Sequence, residues 1–103
     1  MDFLILVSAH FLADFPLQGE WMAKEKYSVF KTQLGTVALF AHAFIQALIV
    51  GIIAWLLGYD FYTFFLVVGV THFLIDLGKI KGKYGVLTDQ LLHYAVLIVL
   101  ILI

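Results

Sequence analysis

The sequence contains no cysteine. Disulfides, zinc–thiolate sites and thiol nucleophiles are therefore excluded. Charge is also scarce: 13% of residues are charged and the formal net charge is -1. A broad basic footprint for nucleic acid is not there, so no nucleic-acid partner is expected. There is one proline, Pro16, and no low-complexity stretch or long polar linker. The basic n-region of a cleavable signal peptide is missing too, since the only early charge is Asp2. The first apolar segment is expected to be retained as a helix. Serine is poorly placed for covalent catalysis. Ser8 lies two residues before His10, on a different helix face, and Ser28 sits in a polar stretch.

What the sequence has is hydrophobicity. Apolar residues make up 64% of 103 positions and mean hydropathy is +1.07. One domain is the most this length supports. A soluble chain so small could not hide that much apolar surface, whereas a bilayer accepts it. The expected fold is an all-α membrane protein, a four-helix transmembrane bundle with a short interfacial helix between spans 1 and 2.

The spans are placed by hydropathy at residues 1–15, 34–58, 61–77 and 88–103, with the interfacial segment at 17–33. The first is short against the ~20 residues of a full span. Pro16 breaks the helical ladder after it and disfavours helix at Phe15. The interfacial segment mixes Lys24, Lys26 and Lys31 with Trp21, Tyr27 and Phe30, a composition suited to headgroups. The second span carries no formal charge, and Gly35, Ala38, Ala41, Ala43 and Ala47 allow close helix approach. Gly58, Tyr59 and Asp60 read as a tight turn. Residues 78–87 read as a loop, with Thr88 as N-cap of the last helix.

All six lysines fall between spans 1 and 2 or between spans 3 and 4. By the positive-inside rule both lysine-bearing loops face the cytoplasm and both termini face outward. A three-span arrangement would put those loops on opposite sides. The expected location is a bacterial inner membrane, crossed several times.

The strongest chemical signal is a set of polar residues at matched depth. His10 and Asp14, His42 and Gln46, His72 and Asp76, and Asp89 and His93 each stand one helical turn apart. Counting inward from the lysine side, His42 and His72 lie roughly 10 Å deep. His10 lies about 9 Å deep and His93 about 6–8 Å. Four helices packed together would turn these groups toward one another. The candidate metal ligands are therefore His10, Asp14, His42, His72, Asp76, Asp89 and His93. One of Asp14, Asp76 or Asp89 would serve as general base. Gln18, Lys24, Gln46, Lys79 and Gln90 are candidates for phosphate contact or for orienting the ligands. Imidazole and carboxylate without sulfur suit a divalent cofactor, zinc first, as one or two ions.

Each fragment has a plainer meaning. A lone intramembrane His or Gln commonly serves as glue between helices, and a His–Asp pair can simply hydrogen-bond. Four such pairs in one small bundle make glue alone less persuasive, because buried charge is costly unless compensated. Lys79 continues the stripe of Gly69, His72 and Asp76. It could pair with a carboxylate or a phosphate, although lysines at such helix ends commonly snorkel to the interface. Lys24 and Lys26 carry the same two meanings. Trp21 and Trp55 are expected to be interface anchors.

The ordered pattern His10-x-x-x-Asp14-x-x-x-Gln18, Trp21, Lys24, His42, His72-x-x-x-Asp76-x-x-Lys79 and Asp89-Gln90-x-x-His93 resembles a known family. The family comprises small multi-pass membrane proteins of bacteria and prophages, catalogued as domain of unknown function 3307. The resemblance covers essentially the whole chain and implies a bacterial or phage-encoded inner-membrane protein with no activity to carry over. In site type alone the chain is also similar to membrane-embedded metal-dependent hydrolases.

Three functions compete at this point. The first is metal-dependent hydrolysis of a lipid or headgroup ester or phosphodiester, with water as nucleophile and membrane lipids as partners. The second is transport of a metal ion or proton, against which stand outer span halves almost without polar residues. The third is an accessory protein whose polar core only specifies packing. The short first and last spans also suit self-pairing into a homo-oligomer.

Overall fold

A computed structural model describes residues 1–14 and 19–103. The expected break at Phe15 and Pro16 and the candidate Gln18 lie outside the described residues. Every regular element is helical, and there is no strand among the described residues. The helices are α1 (Asp2–Asp14), α2 (Gly19–Glu25), α3 (Gln33–Leu56), α4 (Phe61–Ile80) and α5 (Val86–Leu102), with a 3₁₀ turn at Lys26–Ser28 between α2 and α3. Helices α3 and α4 are long and apolar enough to cross a membrane, by length and composition.

The helix starts follow capping chemistry. Thr32 accepts the Gly35 N–H at 2.9 Å, ahead of α3. Asp60 accepts the Thr63 N–H at 2.9 Å, ahead of α4. Each such cap contributes about 1 kcal/mol. Gly58 makes the turn between the two helices at φ +100°, a conformation that costs glycine little. Two boundaries differ from expectation. Helix α4 continues through Gly78 to Ile80 instead of ending at Leu77. Tyr84 folds back there: its hydroxyl donates to the Ile75 carbonyl and its ring covers Gly78, where a side chain would collide. Helix α5 starts from Gly85, so Thr88 lies inside its first turn and is not the cap.

Contacts run around a square, α1 to α3, α3 to α4, α4 to α5 and α5 back to α1. The inward positions repeat every three or four residues, as in Phe64, Val68, His72 and Asp76 on α4. Gly69 of α4 faces Ala47 of α3, so small residues line that seam. The 3₁₀ turn packs on α3 at Gly35, where a β-carbon would run into the Ser28 backbone.

The bundle interior divides along its axis. Leu6, Val50, Ala54, Phe64, Val68, Leu97 and Leu100 form an apolar core in the half nearer the Gly58 turn. The other half is filled with polar side chains. Outward faces are apolar: Phe40, Phe44, Trp55, Leu66 and Leu74 are all more than half exposed. Water-soluble proteins put their charges outside; here Asp76 and Asp89 are 0% exposed.

Candidate metal centre

Four helices contribute to the polar half. Helix α1 supplies His10 and Asp14, α3 supplies His42 and Gln46, α4 supplies His72 and Asp76, and α5 supplies Asp89, Gln90 and His93. All nine are buried. The one-turn spacing places both members of each pair on the inward stripe of its helix, and the square packing brings the stripes together.

Asp14 and Asp76 are the points of convergence. His42 Nε2 lies 2.9 Å from Asp14 Oδ1 and 3.2 Å from Asp76 Oδ2. His72 Nδ1 is 3.4 Å from Asp76 Oδ2, and its Nε2 is 3.6 Å from Asp14 Oδ1. On the other side, His93 Nε2 is 3.1 Å from Asp76 Oδ1 and 3.5 Å from Asp89 Oδ2. The His72 and His93 rings stack with centroids 4.1 Å apart.

The glutamines hold this array in place. Gln90 donates its amide to Asp14 Oδ2 at 2.8 Å and lies 3.1 Å from Asp89 Oδ2. Its carbonyl oxygen is 3.1 Å from His10 Nε2 and accepts the Tyr94 hydroxyl at 3.3 Å. Gln46 donates to His10 Nδ1. His10 is therefore gripped through both ring nitrogens by amides, an arrangement that fits the neutral imidazole.

His72 is the opposite case. It is 1% exposed, yet neither ring nitrogen makes a hydrogen bond. Asp76 Oδ2 and Asp89 Oδ1 are likewise buried without one. Buried polar atoms are nearly always satisfied, so such a concentration calls for an explanation. Three sets of side chains could hold a cation: Asp14 with His42, His72 and Asp76; Asp76 with Asp89 and His93; and His10 with His72 and His93. Within each set the donor atoms lie within 4.8 Å of one another.

Two lysines close the array on the side of the loops. Lys79 Nζ is 3.7 Å from Asp89 Oδ2. Lys26, on the 3₁₀ turn, is buried with its Nζ 3.8 Å from Asp76 Oδ2. Burial pushes the Lys26 ammonium below the ordinary lysine range, with Asp76 pulling the other way. Lys24, the residue singled out by its pattern, is exposed instead. The sequence gives Lys26 the same two meanings as Lys79, and the structure places it beside a carboxylate. The signal for Lys26 is Gly35, whose bare backbone lets the turn sit close on α3. Trp21 and Trp55 are exposed.

No curated protein and no solved structure matches this sequence. A family model does, over residues 3–103, and the chain accordingly belongs to the family described as Protein of unknown function (DUF3307).

Proposed function

We propose that the protein is a multi-pass membrane protein that binds a divalent metal ion, zinc first, in its buried His/Asp array and hydrolyses a lipid or headgroup ester or phosphodiester there. The observation that carries metal binding is His72, buried with its ring nitrogens 3.4 and 3.6 Å from carboxylate oxygens of Asp76 and Asp14 and making no hydrogen bond to either. A hydrogen-bonded packing core would have satisfied it. The apolar outward faces of α3 and α4, together with α1 and α5 completing the square, favour a bundle immersed in a bilayer. The lysine-rich loops favour a cytoplasmic position for the array, at the inner leaflet of a bacterial inner membrane, with both termini outward.

A metal ion held by these residues would supply an acidified water. A carboxylate oxygen of Asp14, Asp76 or Asp89 that holds no metal would take the proton as water adds to the ester carbon or phosphorus, and would return it to the departing alcohol. Lys79 and Lys26 stand on the headgroup side, where an anionic ester would enter. An apolar groove of about 650 Å³ between α4 and α5 reaches Thr71 and Leu92, the chain neighbours of His72 and His93. It suits the acyl chain of a lipid whose headgroup meets the array. The apolar core across the other half of the bundle tells against a transport path, since a pathway would need polar groups there.

The test is metal content of the purified wild type and of His72→Ala, followed by turnover of phosphatidylglycerol and phosphatidylethanolamine in mixed micelles with and without chelator. Stoichiometric metal that His72→Ala loses, with chelator-sensitive lipid cleavage, is expected. Metal-free wild type would overturn the proposal. Bound metal without turnover, but with metal-dependent flux in vesicles, would replace hydrolysis by transport.

A further inference from the structure

We infer that the array holds two divalent cations bridged by Asp76: one in a closed set of four side chains, the other in a set of three with an open coordination position. This rests on the metal-binding reading above and concerns how the metal is held.

The two oxygens of Asp76 face different partners. Oδ2 is turned to α3 and to its own helix, 3.2 Å from His42 Nε2 and 3.4 Å from His72 Nδ1. Oδ1 is turned to α5, 3.1 Å from His93 Nε2. A carboxylate placed between two donor sets, one oxygen to each, has the disposition of a bridge. Two-metal sites space their ions about 3.5–4 Å apart, a separation that one carboxylate spans.

The two sets differ in a way that assigns roles. Asp14, His42, His72 and Asp76 offer four ligands, enough to fill a tetrahedral ion. Asp76, Asp89 and His93 offer three, leaving a position for water or substrate. Both sets contain buried atoms without a hydrogen bond, the His72 nitrogens and Asp76 Oδ2 in one and Asp89 Oδ1 in the other. His10 is left out of both, because Gln46 and Gln90 occupy its ring nitrogens. The remaining oxygen of Asp14 is held by Gln90, which orients that carboxylate toward the four-ligand set.

Asp14, Asp76 and Asp89 are three carboxylates, compensated in the metal-free array by Lys26 and Lys79. Metal ions at the carboxylates would displace the two ammonium groups. Lys79 lies beside Asp89, in the set with the open position, where a freed ammonium would meet a phosphate.

Manganese is the probe. The full chain in detergent micelles is loaded with Mn²⁺, and its stoichiometry and EPR spectrum are recorded. Two ions per chain with an exchange-coupled spectrum are expected. His93→Ala and His42→Ala, which damage one set each and keep the bridge, are each expected to leave one ion with an uncoupled six-line signal. Circular dichroism checks that each variant remains helical; if either unfolds, the wild-type coupling alone decides. A single ion per chain, or two without coupling, would overturn the bridge while leaving metal binding intact. A wild type that binds no Mn²⁺ or Zn²⁺ would overturn both.

Discussion

Lys26 and Asp76 form an ion pair across a gap in sequence that no helical periodicity connects: the ammonium of a 3₁₀ turn sits 3.8 Å from a carboxylate oxygen at the centre of the bundle. Both side chains are buried, and loss of the ammonium leaves Asp76 with its histidine contacts alone against its charge. Lys26→Met is expected to cost about 3 kcal/mol in the metal-free protein, the scale for breaking a buried pair from one side. The same substitution removes a cation that competes with metal for Asp76. Metal affinity should then rise by about tenfold, a shift of about 1.4 kcal/mol. Chemical unfolding of the chelated protein and calorimetric Zn²⁺ titration measure the two effects. Weaker metal binding in Lys26→Met would show that the lysine supports the site instead of competing for it.

His72 and His42 should respond in opposite senses to the same change. Replacing His72 by leucine deletes two buried nitrogens that make no hydrogen bond. In metal-free protein that is expected to be neutral or stabilising by about 1 kcal/mol. His42→Leu breaks a 2.9 Å contact with Asp14 and is expected to cost about 2 kcal/mol. Added Zn²⁺ should raise the wild-type melting temperature, and either substitution should weaken that rise. If His72→Leu is as destabilising as His42→Leu without metal, His72 is part of the packing and its claim as a ligand fails.

Much of the array was legible because its members obey helix geometry. His10 with Asp14, His72 with Asp76 and Asp89 with His93 stand one turn apart, and depth counted from the lysine loops put all four histidines near one level. The structure gathers them on the inward stripes. Lys26 was less legible. Its position depends on a short 3₁₀ turn resting on Gly35, a tertiary contact with no periodic signature. The end of α4 was misplaced for a similar reason. Gly78 reads as a helix stop, but Tyr84 packs on its bare face and donates to Ile75, which holds the last turn together. Thr88 reads as the α5 cap for its side chain, while the chain uses Gly85 without a side-chain bond.

The proposed membrane orientation is tested with introduced thiols, because the chain has no cysteine of its own. Lys83 lies in the turn between α4 and α5, and Asp60 in the turn between α3 and α4. In a four-span bundle these turns are on opposite sides. A membrane-impermeant maleimide should label Lys83→Cys in inverted inner-membrane vesicles and Asp60→Cys in right-side-out spheroplasts. Asp60→Cys loses the cap on Thr63, worth about 1 kcal/mol, which a bundle of this kind tolerates. Labelling of both from one side would refute the four-span arrangement.

The last prediction joins the 3₁₀ turn to the metal. A β-carbon at Gly35 would meet the Ser28 backbone, which cannot yield as a flexible side chain could. Gly35→Val therefore has to push the turn off α3, at an overpacking cost of about 1–3 kcal/mol. Lys26 is two residues from Ser28 and moves with it, away from Asp76. If lysine and metal compete for that carboxylate, Gly35→Val should reproduce the tighter Zn²⁺ binding of Lys26→Met without touching any charged group. Combining the two substitutions should add little, since each removes the same contact. Calorimetric titration of the two single variants and the double variant measures the coupling. Full additivity of the affinity gains would show that Gly35 acts on the site by some route other than Lys26.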